Sequence, residues 1–213
     1  MTSAARDEKS PSLGDVCGAA AFAIGLVSAW LYVAGWTYAY QYFDRFGIPL
    51  LMVDIPKEHY FVYGDVVARQ FPAWLLAIVT MAFLLVAMRR WLARLLGALA
   101  LPIAILAVAG LFWLGHSAGV AAALDQYATQ REGDYPAYPR VQIWLTENSP
   151  ASGGSPSPNS LAQGCYRLLL HNLDRLFLIR PFKGAGAADL PVLILPWDQV
   201  GAVRVLPDYT SCK

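Results

Sequence analysis

Three stretches of this chain contain no Asp, Glu, Lys or Arg: 28 residues between Asp15 and Asp44, 19 between Arg69 and Arg89, and 30 between Arg94 and Asp125. A helix needs roughly 20 apolar residues to cross a hydrocarbon layer about 30 Å thick, so each run is long enough. The core helix of a soluble protein keeps a polar stripe, whereas "FPAWLLAIVTMAFLLVAM" is apolar around its whole circumference. Hydropathy therefore predicts three membrane-spanning helices, at 17–39, 71–88 and 96–116.

Composition supports a lipid environment. The 213 residues are 57% hydrophobic and 15% charged, with seven Trp and eleven Tyr, which is too apolar and aromatic for an ordinary soluble domain. A formal charge of +1 supplies no global field to attract nucleic acid. The first run follows Arg6 and Lys9, as a signal peptide would, but it is about twice the usual h-region and ends in "WLYVAGWTYAY" with no small-residue cleavage site. It is expected to stay as an anchor.

Arg89, Arg90 and Arg94 occupy the short link between the second and third runs, which has no acidic residue. Short loops rich in Lys and Arg stay on the cytoplasmic side, because carrying those charges across a bilayer is unfavourable. The trio is read as an orientation signal, with a lipid-headgroup site as the alternative. Three spans then put the tail 1–15 inside, and the 41–70 loop and everything after the third helix outside. The compartment expected is a bacterial inner membrane, with the C-terminal part extracytoplasmic.

After the third span, "AGVAAALDQYATQ" keeps helical character to about Gln130, and Pro136 and Pro139 mark a boundary. The membrane domain is thus expected at 16–130. Five strand-like runs follow, at 140–146, 165–171, 174–180, 190–195 and 201–206, separated by turn-forming residues such as "HNLD" and "PWDQ". They predict a small antiparallel sheet domain at 131–213, with a flexible Ser/Pro/Gly stretch at 148–160. The fold class expected is an α+β membrane protein: three transmembrane helices followed by a small antiparallel β-sheet domain.

Cys165 and Cys212 both fall in that domain. In an oxidising compartment they are expected to pair, closing a loop of nearly fifty residues worth about 4 kcal/mol on the chain-entropy model. Free thiols in a cytosolic domain are the alternative. No Cys-x-x-Cys or paired His accompanies them, so a zinc site is not expected.

The 41–70 segment, "QYFDRFGIPLLMVDIPKEHYFVYGDVVAR", is too long for a turn and too apolar for a solvated loop. Pro49 and Pro56 exclude one continuous helix, and the segment is expected to lie in the outer membrane interface. Asp44, Asp54 and Glu58, with His116 near the end of the third helix, are the candidate site there, because paired carboxylates share a proton or hold a cation. None has a partner spacing such as His-Glu-x-x-His. His116 is otherwise expected to reach the interface or bond a neighbouring helix.

Small residues permit close helix approach at Ala21, Gly25 and Ala29 and at Gly115 and Gly119, within one chain or in a homo-oligomer. No Walker loop, Rossmann fingerprint or GxSxG elbow is present. No cofactor and no enzyme activity are expected. The reading favoured is a membrane protein whose β-domain contacts another membrane or envelope protein through a strand edge or loop, with Arg180, Trp197 and Asp198 at strand ends. The rival is a membrane enzyme or ion-handling subunit with a site at the outer interface.

Overall fold

A computed structural model describes residues 13–81, 84, 100–146, 157–181 and 192–207. It holds helices and a five-stranded antiparallel sheet. The helices are α1 (Leu13–Asp44), α2 (Lys57–Gln70), α3 (Pro72–Met81), α4 (Ala100–Glu132) and α5 (Pro158–Ala162). The strands are β1 (Arg140–Leu145), β2 (Tyr166–His171), β3 (Arg175–Ile179), β4 (Val192–Pro196) and β5 (Val200–Leu206).

Two helices, over Val16–Asp44 and Leu101–Glu132, are long and apolar enough to cross a membrane. The middle span expected at 71–88 is described only as the apolar helix Pro72–Met81, and its remainder, like Arg89, Arg90 and Arg94, lies outside the described residues. The chain divides into two units: Met1–Thr37 with Glu58–Gly119, and Tyr38–Lys57 with Val120–Lys213. The second unit takes 38–57 and the end of α4 together with the sheet.

In the first unit, α2 lies antiparallel along α1. A Cβ placed on Gly64 would strike the Leu31 carbonyl, and one on Gly35 would strike the Tyr60 carbonyl. The two backbones touch because neither glycine has a side chain. Tyr32 closes the contact, its ring centroid 5.6 Å from those of both Tyr60 and Phe61. The 41–70 stretch expected as one interfacial loop is thus mostly ordered helix: α1 runs on to Asp44 and α2 starts at Lys57. The pairing of short carbonyls with glycines, invisible to hydropathy, holds the polar α2 in place.

In the second unit, α1 ends through Gly47, at φ +67°, where Ile48 N–H reaches back to the Phe43 carbonyl at 3.2 Å and Pro49 prevents continuation. The sheet order is β4-β3-β2-β1-β5. The two outermost strands are consecutive in the chain, joined only by the one-turn helix Trp197–Gln199. Four strand spacings of about 4.8 Å would put the edges of a flat sheet about 19 Å apart, more than the roughly 14 Å that four residues reach. The sheet must curl until its edges meet at that turn, and hydrogen bonds from Trp197 N–H to the Asp174 carbonyl and Thr146 N–H to the Gln199 carbonyl, both 2.9 Å, fasten the corner.

Val141, Ile143, Tyr166, Leu176, Leu178 and Leu195 fill the interior of the curl, and Leu161 of α5 adds to it. β3 is buried on both faces, since Phe177 and Ile179, opposite Leu176 and Leu178, are also inaccessible. Helix α5 takes in the last residues of the stretch expected to be flexible at 148–160. Ser157 caps it, accepting from Ser160 N–H at 3.3 Å, and Pro158 occupies its first turn, where a missing N–H costs nothing. Residues 147–156 lie outside the described residues.

Candidate interaction surface

Asn172 closes the β2–β3 turn by a pattern its short amide favours. Its Oδ1 accepts from Asp174 N–H at 3.1 Å and Arg175 N–H at 2.8 Å, and its own N–H donates to the Arg175 carbonyl at 3.0 Å. The same residue ties in two further segments. Its Nδ2 donates to the Met52 carbonyl at 3.3 Å, and its carbonyl accepts from Trp197 Nε1 at 2.8 Å. The His171 ring meets the Trp197 ring edge-on, centroids 6.4 Å apart.

Three loops are thereby held side by side: the one-turn helix Leu50–Met52, the β2–β3 turn and Trp197–Gln199. Each presents an apolar side chain to solvent. Leu51 is 98% exposed and Leu173 92%, with Met52 and Trp197 partly exposed beside them. Fully burying a leucine is worth about 1.5–3 kcal/mol relative to leaving it in water, so two rigidly displayed leucines beside a tryptophan are a loss for the isolated chain. Around them Asp54, Asp174, Arg175 and Asp198 are exposed charges. An apolar centre with a charged rim is the anatomy of a contact surface.

Of the residues singled out in the sequence, Trp197, Asp198 and Asp54 belong to this surface and the others fall elsewhere. Asp44 and Asp54 are exposed in the second unit, Asp54 at φ +48°, while Glu58 is exposed at the start of α2. His116 Nδ1 is 3.2 Å from the Thr37 hydroxyl, the interhelical bond expected of it. Among the described residues no three or more His, Cys, Asp or Glu side chains group to hold a metal ion. Arg180 stacks over the Tyr166 ring at 5.9 Å.

No disulfide-forming cysteine pair is seen among the described residues: Cys165 is buried, Cys17 is exposed, and Cys212 lies outside them. Of the small-residue positions, Gly115 packs inside the chain. A Cβ there would sit 2.9 Å from the Trp30 Nε1. Gly25 meets nothing within 4 Å. Gly119 is buried, and Ala21 is exposed with Ala29 partly so.

A cluster of rings surrounds the end of α4 in the second unit. Phe46 packs against Tyr127 and Tyr135, at 5.3 Å and 5.9 Å, and the Tyr42 and Tyr138 hydroxyls are 2.7 Å apart. Burial, reinforced by the Tyr127 hydroxyl, pushes the Tyr135 phenol far above its usual value. Burial also raises Tyr63 and, less enclosed, Tyr60 in α2. These shifts are consequences of packing.

No protein-family model, curated protein or solved structure matches this chain. Its candidate surface therefore rests on geometry. Leu51, Leu173 and Asn172 carried no recognisable signal in the sequence, beyond the reading of "HNLD" as a hairpin turn.

Proposed function

We propose that this chain is a three-span inner-membrane protein that anchors its sheet unit on the extracytoplasmic side, where that unit docks a second membrane or envelope protein. The observation that carries the docking role is the exposed apolar surface of Leu51, Met52, Leu173 and Trp197, fixed by the Asn172 hydrogen bonds. Preorganised loops lose little entropy on binding, so the surface is suited to assembly or sensing. The partner is expected to present an apolar pocket with a mixed-charge rim. In this reading residues 71–88 form the middle span, and the cationic link of Arg89, Arg90 and Arg94 stays cytoplasmic. A homo-oligomer through Ala21, Gly25 and Ala29 is compatible with the open space at Gly25.

Photo-crosslinking in intact cells tests the reading. A benzophenone amino acid at Leu51 or Leu173 should give a discrete protein adduct, and one at the exposed Arg204 on β5 should not. Equal, diffuse labelling at all three positions, or adducts with lipid alone, would remove the docking role.

A further inference from the structure

The packing of α2 on α1 sets how far the bilayer extends. Numbering rises from Leu31 to Gly35 on α1 while it falls from Gly64 to Tyr60 on α2, so Asp65 is level with about Trp30. Arg69 lies about 6 Å further toward the start of α1 at 1.5 Å per residue. These two form an ion pair at 2.7 Å whose side chains are 54% and 79% exposed. An open ion pair cannot face hydrocarbon without heavy desolvation, yet hydropathy alone would carry the first span several turns past it.

Helix α4 reports the same level. Trp30 packs on Gly115 and Thr37 on His116, which brackets the height of Trp30 on α4 between Ala109 and Gly115, centred on Phe112. Just outside the same level stand exposed rings on three helices: Trp36 on α1, Phe61 on α2, and Trp113, 68% exposed, on α4.

We propose that the outer hydrocarbon boundary crosses the first unit at the level of Trp30, Asp65 and Phe112, and that Trp36, Phe61 and Trp113 form a girdle that binds the headgroup and ester zone of a phospholipid bilayer. Aromatic rings favour that zone. Arg69, one turn inside the boundary, extends its guanidinium outward to Asp65, as long cationic side chains do at a membrane edge. The turns of α1, α2 and α4 that lie beyond this level within the first unit stand outside the bilayer core. This rests on the reading that α1 and α4 cross a membrane.

Nitroxide labels on the full chain in phosphatidylethanolamine/phosphatidylglycerol vesicles test it, at the exposed sites Ile24→Cys, Leu106→Cys, Val62→Cys and Ser117→Cys, with signal from the parent chain subtracted. Ile24 and Leu106 should favour oxygen over a water-soluble nickel chelate, and Val62 and Ser117 should be severalfold more accessible to nickel. If all four favour oxygen, the boundary lies further out and the girdle is wrong while the membrane reading stands. Nickel access at all four would overturn the membrane reading itself.

Discussion

Tyr135 shows how one side chain carries the condition of its surroundings. It is 2% exposed and sits at φ +60° between α4 and the sheet, with Phe46 and Tyr127 against its ring. Its raised pKa means that the folded chain holds the phenolic proton at a pH where the unfolded chain has released it. Below pH about 10 the proton is bound in both states and stability does not change on this account. Above it the unfolded state binds fewer protons, so stability falls by about 1.4 kcal/mol per pH unit for each such group. Alkaline unfolding followed by near-ultraviolet dichroism should therefore be steep, and Tyr135→Phe should make it shallower. An unchanged slope in that variant would mean that the phenol ionises freely.

At the scale of elements, the α1–α2 pair depends on two absent side chains. Gly64→Ala puts a methyl into the Leu31 carbonyl, a contact with backbone that no rotamer relieves. It should destabilise the chain by about 1–3 kcal/mol, lowering the thermal midpoint in detergent. Gly25→Ala is the control: nothing lies within 4 Å of its Cβ, and helix propensity favours the change. If both variants melt alike, the close approach contributes nothing. Elements were legible in the sequence where local chemistry decides them. All five strands fall within about two residues of their expected positions, because β-branched and leucine-rich runs alternate with turn formers such as Asn172 and Asp174. Composition marks 148–160 as a flexible Ser/Pro/Gly stretch, yet with Ser157 as cap Pro158 starts a helix. Helix α2 was missed because its charged residues and the flanking Pro56 resemble a loop, and its glycine contacts exist only in three dimensions. The candidate surface was the least legible, since an exposed Leu51 and a buried Leu176 are the same letter and only tertiary packing separates them.

At the scale of the whole molecule, side of membrane and redox state are one question. Cys165 is buried at the start of β2, and Gly164 next to it faces Leu206, the last residue of β5. Five residues after Pro207 comes Cys212, and an extended chain of that length spans about 17 Å, enough to bring its thiol back to Cys165. Pairing would fasten the end of the curled sheet to its middle, and an oxidising compartment would maintain it. Cys17, in the first span near the tail 1–15, is outside this arrangement. If the sheet unit is extracytoplasmic, protein denatured without reductant should take up one alkylating group per chain, at Cys17, and reductant should raise that to three. The variant Cys212→Ser should then show two with or without reductant. Three groups in the unreduced parent chain would place the sheet unit in a reducing compartment and reverse the orientation read from Arg89, Arg90 and Arg94, leaving the docking surface to face a cytoplasmic partner.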